Sequence, residues 1–193
     1  LFAHAIAHLK DRGVKTIELN GAFPSVSLYR RFGFHDRYLA LRFVRPPSSC
    51  DAQSEQLLAV TIDEIVRFDR EHTQIDRSAV LTRFYDDFRD SLFAIGDGQL
   101  SAYAFVKPRA SDNVAVGPFV AKSPEAAIAL LKTILSRFHD KTILIVVPDM
   151  KAPFVQALLA GGFFYTCPWL RMYWGARLDF DDYVYGIISP EKG

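Results

Sequence analysis

Cysteine, methionine and tryptophan are scarce in this sequence, with two of each among 193 residues. The two cysteines, Cys50 and Cys167, lie far apart, which argues against a disulfide framework. They are also too few for a cysteine zinc site, and we predict no metal centre. Because proteins without disulfides are typical of a reducing compartment, we predict a cytoplasmic protein.

The sequence also lacks a charge imbalance and a long apolar run. Its 23 Lys and Arg residues nearly balance 22 Asp and Glu residues, and the basic residues are scattered along the chain. We therefore expect no nucleic-acid partner. No apolar run approaches the roughly 20 residues that span a bilayer, so we expect no membrane partner. Half of the residues are hydrophobic, which is enough apolar material for a core.

Two stretches of the sequence, 1–45 and 124–175, read as copies of one half-domain. Each is predicted to run helix, apolar strand, helix, Gly-Phe step and aromatic-rich strand. The apolar strands contain Lys-Thr-Ile-Glu-Leu from residue 15 and Lys-Thr-Ile-Leu-Ile from residue 141. The first copy starts inside its helix, whereas the second copy has a full set of elements before it. We therefore expect the tail of one domain followed by a complete second one.

This repeat predicts three segments. Residues 1–45 form the C-terminal half of a first domain, residues 46–56 form a Pro- and Ser-rich linker, and residues 57–193 form the second domain. Because residues 1–45 lack partner strands, they would expose sheet edges and apolar surface on their own. We expect them to pack on the second domain or on another chain, and a homodimer is one such arrangement.

Residues 57–193 are predicted to form helices and three antiparallel strands, then helix, strand, helix and strand. Thr61 and Glu64 have the spacing of a capping box, which one long helix or two consecutive helices follow. Gly96-Asp97-Gly98 predicts a hairpin turn between the first two strands. A final strand is predicted within 183–188. This order of elements indicates a mixed α/β domain.

The segment 28–34, Leu-Tyr-Arg-Arg-Phe-Gly-Phe, resembles the Leu-Tyr-x-x-hydrophobic-Gly-Phe signature of the GNAT superfamily of N-acetyltransferases. The resemblance covers nearly the whole chain. It implies a mixed α/β fold, with a mostly antiparallel, splayed sheet flanked by helices and an N-terminal partial repeat of the same fold. It also implies acetyl-CoA as cofactor and Tyr29 as the catalytic acid that protonates the departing coenzyme A thiolate. The alternative for Tyr29 is a ring packed between helix and sheet.

The second copy is similar to the divergent GNAT-like domain that follows a standard one in some bacterial acetyltransferases. The glycine-containing pyrophosphate loop of the family is absent from the chain, and Leu158 stands where the usual Tyr would be. The residues that carry this similarity are Asp76-Arg77, Leu81, Gly117-Pro118-Phe119-Val120-Ala121, Val147-Pro148-Asp149, Gly162-Phe163 and Arg171-Met172.

A cofactor site in the second domain is predicted where the glycine loop would be, at Val120, Ala121, Lys122 and Ser123. A helix N-terminus at Ser123 offers free amides to a phosphate, and Lys122 adds a positive charge. The alternative is an ordinary capped helix, because Ser is a good N-cap and Glu125 in the first turn would repel an anion.

A substrate pocket is predicted around Asp76, Arg77, Gly117, Trp169 and Arg171. Gly117 precedes Pro118, where GNAT folds splay the sheet to admit pantetheine. The alternatives are an ion pair for Asp76-Arg77, a structural bulge at Gly117 and core packing for the aromatic strand.

Together these features predict an acetyl-CoA-dependent N-acetyltransferase that acts on a primary amine of a small molecule, a peptide or a protein. The first domain would do the chemistry, and the second would shape the substrate site. The alternative is a non-catalytic GNAT-derived binding or dimerisation module, which fits the missing glycine loop and Leu158.

Overall fold

A computed structural model describes residues 1–48 and 54–188. The middle of the predicted linker, which includes Cys50, and the last five residues of the predicted second domain lie outside the described residues. None of the helices in the described ranges is long and apolar enough to cross a bilayer.

The described residues form six α-helices and eight β-strands, with short 3-10 turns at Arg89–Ser91 and Asp181–Tyr183. The helices are α1 (Phe2–Asp11), α2 (Phe23–Arg31), α3 (Ile62–Thr73), α4 (Ser78–Phe88), α5 (Pro124–Arg137) and α6 (Ala152–Ala160). The strands are β1 (Thr16–Gly21), β2 (His35–Arg45), β3 (Leu92–Gly96), β4 (Leu100–Arg109), β5 (Asn113–Ala121), β6 (Thr142–Pro148), β7 (Phe164–Gly175) and β8 (Val184–Gly186).

The predicted capping box opens α3. The Thr61 hydroxyl accepts the Glu64 amide at 3.3 Å, and the Glu64 carboxylate accepts the Thr61 amide at 2.7 Å. The helical stretch then divides into two helices, because Gln74 adopts a left-handed conformation with φ 58° that ends α3. Of the two alternatives, the structure therefore has two consecutive helices.

All eight strands join one open mixed sheet, in the order β1-β7-β2-β6-β5-β4-β3, with β8 paired to β5. Among the strands of the described residues, only β5 and β6 are parallel, and every other pair is antiparallel. Strand β7 lies between β1 and β2, and β2 lies between β7 and β6. The expectation that residues 1–45 pack on the rest of the chain is thus confirmed, through main-chain pairing of both strands.

Helices cover both faces of this sheet. One face carries α5 and α6 over the β3–β6 half and α1 and α2 over the β1–β7 half. The other face carries α3 and α4, whose side chains pack on β4, β5 and β6. Alternation along β7 divides its side chains between the faces, since Leu170 and Met172 join the α1–α2 cluster while Trp169 packs on the α3–α4 side. The α3–α4 face holds the cavities described below.

The two parallel strands β5 and β6 separate part-way along their length. Their pairing runs from Asn113 opposite Thr142 to Val116 opposite Ile145 and then stops. Beyond that point β5 pairs with β8, and the Ile187 amide donates to the Val146 carbonyl at 3.0 Å. The C-terminal segment 184–188 therefore fills the gap between the two strands.

Gly117 is the point at which β5 changes its partner. The strand itself is not interrupted at this point, because β5 continues from Asn113 to Ala121. Gly117 has φ 146°, and a Cβ atom at this position would lie 2.1 Å from the Ile187 carbonyl oxygen. Glycine is therefore required both by the backbone conformation and by the close approach of the C-terminal segment.

Replacing Gly117 with alanine should destabilise the fold by about 1–3 kcal/mol and loosen the C-terminal segment, because the new methyl group must displace Ile187. Urea unfolding and amide hydrogen exchange at 184–188 measure the two effects. Gly98→Ala is the matched control, since Gly98 also has a positive φ of 65° but nothing within 4 Å of its added Cβ. Equal exchange at 184–188 in both variants would contradict the assigned contact.

Candidate functional site

A cavity of about 260 Å³ opens on the α3–α4 face of the sheet, next to the segment that follows β7. Strands β1, β2 and β7 form its floor, and residues from the α3–α4 connection and the C-terminal segment form its walls. Its lining residues are Thr16, Glu18, Tyr38, Ile75, Arg77, Arg171, Leu178, Phe180, Val184, Ile187 and Ile188. Two predicted substrate residues, Arg77 and Arg171, thus line the same cavity.

Glu18 is the central charge of the cavity floor. One of its carboxylate oxygens accepts from Arg37, and the other accepts from Arg171 Nη2 at 2.5 Å. The side chains of these residues are 11%, 2% and 7% exposed, respectively. Since Glu18 lies on β1, Arg37 on β2 and Arg171 on β7, buried ion pairs connect three neighbouring strands.

Arg37 also connects the sheet to the segment that follows β7. It forms an ion pair with Asp181 at 2.5 Å, and Tyr38 donates to the same carboxylate at 3.1 Å. Burial raises the pKa of Asp181, although the Arg37 guanidinium acts in the opposite direction. Burial also raises the pKa of Tyr38, so its hydroxyl keeps its proton and remains a donor.

Arg77 reaches the cavity from a second buried network. Its Nε donates to Asp69 at 3.0 Å, and the Tyr103 hydroxyl donates to the same carboxylate. Asp69, on α3, and Tyr103, on β4, are both buried. Burial acts to lower the pKa of Arg77, but the adjacent Tyr103 and Asp69 outweigh it and hold the pKa above its ordinary value. Arg77 therefore stays charged at the edge of the cavity.

Asp76 is the one predicted pocket residue that lies on the open surface. It accepts the Ser78 amide at 3.0 Å and forms an ion pair with Arg70 at 3.0 Å. The hydrogen bond with Ser78 lowers the pKa of Asp76 to about 2. The alternative, an Asp76-Arg77 ion pair, does not form, because Arg77 turns inward to Asp69 while the Asp76 carboxylate accepts the amide of Ser78, the first residue of α4.

Trp169 and Gly117 lie around the C-terminal segment. Trp169 is on the same face of β7 as Arg171 and lines a neighbouring cavity of about 120 Å³. Ile187 and Ile188 line both cavities, and Gly117 contacts the Ile187 carbonyl from β5. Three of the five predicted substrate residues thus line one of the two cavities, and Gly117 contacts the segment that the cavities share.

The predicted cofactor segment offers no cradle for a pyrophosphate group. Val120 and Ala121 are fully buried, and Val120 pairs with Val184 of β8. The Ser123 hydroxyl accepts the Ala126 amide at 3.3 Å, so it already caps α5. The hydrogen bond with Ser123 lowers the pKa of Glu125, which keeps a negative charge in the first turn. Acetyl-CoA does not fit here, because β8 fills the gap between β5 and β6 and no glycine opens the turn.

Neither Lys122 nor Tyr29 lines the cavity of about 260 Å³, and Lys122 lines a separate cavity of about 390 Å³ beside α3. Lys122 is exposed, with its Nζ 5.7 Å from the centre of the Phe68 ring. Tyr29 is half-buried on α2, on the opposite face of the sheet, and its ring centre lies 5.3 Å from that of Phe2. The Tyr29 ring also covers Gly21 at the end of β1, where a Cβ atom would lie 3.1 Å from it.

Glu18, Arg37, Asp69 and Asp181 are site residues that the sequence reasoning missed. Glu18 carries a signal, because it is the one charged residue of β1 and lies between Ile17 and Leu19. Arg37 carries none, since its inward orientation depends on a register shift between β2 and β7 at Asp36 and Tyr38.

Comparison with known proteins identifies the class to which this fold and site belong. The family model for the acetyltransferase (GNAT) domain matches residues 65–186, which is well over half of the chain. The chain therefore belongs to the GNAT acetyltransferase family. A search of curated protein sequences gives no significant match.

Solved structures show the same fold at low sequence identity. A putative acetyltransferase from Pyrococcus horikoshii is 20% identical, with a TM-score of 0.77 over 98% of this chain and 64% of that chain. A GCN5-related N-acetyltransferase from Anabaena variabilis is 17% identical, with a TM-score of 0.60 over 90% of this chain and 49% of that one. Eis1 from Mycobacterium abscessus is 15% identical, with a TM-score of 0.53 over 88% and 49%. The chain thus spans about half to two thirds of the length of these relatives, and it has their mixed α/β fold with an open, mixed sheet.

Replacing Asp69 with asparagine should lower the free energy of unfolding by about 3 kcal/mol, because Arg77 loses its buried counter-charge. Urea unfolding followed by tryptophan fluorescence measures this loss. Asp76→Asn is the control, since Asp76 is exposed and the asparagine side-chain oxygen can still accept the Ser78 amide, so the change should stay within about 0.5 kcal/mol. Equal stabilities of the two variants would contradict the role given to Asp69.

Proposed function

We propose that the whole protein is an acetyl-CoA-dependent N-acetyltransferase of a tandem GNAT type. In this proposal, residues 1–45 complete a first, catalytic GNAT domain, and residues 57–193 form a second domain that shapes the acceptor site. The acceptor is a primary amine of a small molecule, a peptide or a protein. Membership of the GNAT family supports acetyl transfer as the reaction class.

The observation that carries this proposal is an exchange of strands between two segments of like element order. The first segment runs α1-β1-α2-β2, and the second runs α5-β6-α6-β7. The last strand of each segment pairs antiparallel with the first strand of the other, as β1 with β7 and β6 with β2. The two exchanged strands also pair with each other. Such reciprocal pairing is expected of two related domains that share one sheet.

The position of the cavity supports a joint acceptor site. Glu18 comes from the proposed first domain, whereas Arg77 and Arg171 come from the second. The ion pair between Glu18 and Arg171 crosses the boundary between them. Neither segment has the site alone, which agrees with a second domain that shapes the pocket of the first.

We place the acetyl-CoA site on the β1 side of the sheet, because the segment at 120–123 does not accommodate it. Strand β1 is the outermost strand of the described sheet, so one of its hydrogen-bonding edges has no strand beside it among the described residues. Bound acetyl-CoA supplies the activated acetyl group. Tyr29, which covers the end of β1 at Gly21, is our candidate for the general acid.

A non-catalytic binding or dimerisation module is the second candidate. Two features of residues 57–188 favour it, namely the filled gap between β5 and β6 and the fully buried Leu158 in place of the family's Tyr. A homodimer would form through the open edge of β1.

We also keep a cytoplasmic location as a proposal.

Calorimetric titration of acetyl-CoA into this chain, with coenzyme A as control, should show no micromolar binding. The reason is that β8 and the Ser123 cap occupy the second domain's usual cofactor position. Micromolar binding that Lys122→Ala abolishes would instead place the cofactor at 120–123 and contradict the proposed location.

Replacing Tyr29 with phenylalanine in the full natural protein should lower kcat for acetyl transfer by about 10²–10⁴-fold, because the proton donor is lost. KM for the amine should change little, since Tyr29 is not among the residues that line the acceptor cavity. Steady-state kinetics measure both values. Tyr165→Phe, at an exposed tyrosine, is the control. An unchanged kcat in the Tyr29 variant would rule out the acid role and leave the packing alternative.

A further inference from the structure

Arg171 carries more hydrogen-bond donors than its surroundings satisfy. The residue is 6% exposed, and its Nη2 donates to Glu18. Its Nε and Nη1 atoms are buried and have no acceptor within the described part of the chain. Buried polar groups are normally paired, so an arginine with two such nitrogens at the wall of a cavity points to an acceptor supplied by a ligand.

The carboxylates around the cavity are already engaged by other groups. Glu18 divides its oxygens between Arg37 and Arg171, and Asp181 accepts from Arg37 and Tyr38. The third carboxylate, that of Asp69, accepts from Arg77 and Tyr103. The buried donors at this site that have no acceptor among the described residues are Nε and Nη1 of Arg171, which is a positively charged group.

The rest of the cavity is apolar and small. Its hydrophobic walls are Ile75, Leu178, Phe180, Val184, Ile187 and Ile188. A volume of about 260 Å³ suits a molecule of a few heavy atoms with an apolar body. A polyamine is a poor match, because it would bring positive charge next to Arg77 and Arg171.

We propose that this cavity binds a small amino acid as the amine acceptor, with its carboxylate held by Arg171 and its side chain against the apolar walls. The carboxylate accepts from either Nε or Nη1, the two nitrogens without a partner in the described structure, which lie on different edges of the guanidinium. This inference rests on the proposed acetyl transfer for the role of the amine, but the binding itself needs no cofactor.

The first test is ligand binding to this chain without acetyl-CoA. The standard amino acids are screened by saturation-transfer NMR, and each binder is compared with its own carboxamide by calorimetry. At least one apolar amino acid should bind, about tenfold or more tighter than its amide, because a charge-assisted hydrogen bond is lost in the amide. The proposal is overturned if no amino acid binds at millimolar concentrations, if acid and amide bind equally, or if only inorganic phosphate or spermidine binds.

The second test replaces Arg171 with glutamine. The preference for acid over amide should fall by about tenfold. Arg177→Gln is the matched control, since Arg177 is exposed, pairs only locally with Asp179 at 2.9 Å and does not line the cavity. A preference retained in the Arg171 variant overturns the assignment. If that variant does not fold by circular dichroism, the comparison of acid and amide on the native chain decides.

These tests separate the inference from the proposed function. If an amino acid binds but the full natural protein transfers no acetyl group, the proposed acetyltransferase function is wrong and the proposed amino-acid site stands. If the protein transfers acetyl to a polyamine and binds no amino acid, the proposed amino-acid site is wrong and the proposed acetyltransferase function stands.

Discussion

The antiparallel pairing of β2 with β7 is the constraint on which the rest of the structure depends. It brings β1 and β6 into one sheet, although more than a hundred residues separate them in sequence. It also sets the register that places Tyr38 opposite Arg171 and leaves Arg37 as an extra residue in β2. This bulge turns Arg37 inward, where it meets Glu18 and Asp181. The buried charges of the cavity are thus a consequence of one strand pairing.

The C-terminal segment 184–188 fills the gap between β5 and β6 and helps to line the two cavities beside β7. Its main chain pairs with β5 and reaches β6 through the Ile187 amide, so it satisfies edges that the two diverging strands would otherwise leave unpaired. Ile187 and Ile188 line both the basic cavity at Trp169 and the mixed-charge cavity at Arg171. The same few residues therefore pair with the diverging strands and also form walls of both cavities.

Local signals in the sequence were sufficient for much of the secondary structure. The Thr61 capping box, the Gly96–Gly98 turn and the Ser123 N-cap depend on neighbouring residues, and each appears where it was predicted. The mixed α/β class follows from the order of elements. The course of β2 and β7 could not be predicted in this way, because strand pairing over such distances depends on tertiary packing. For the same reason the sequence indicated Arg77 and Arg171 as site residues but not the partners Asp69 and Glu18 that hold them.

The crossed strands also affect how the protein can be made. The hydroxyl of Thr16 donates to the carbonyl of Ala176, a contact that spans 160 residues. Strand β1 therefore has no neighbour on its inner side until β7 has left the ribosome. At synthesis rates of roughly 5–20 residues per second, that delay lasts many seconds, which is long compared with local helix and hairpin formation. During this interval β1 and β2 have unpaired edges, which are the parts of the chain most able to pair with another chain.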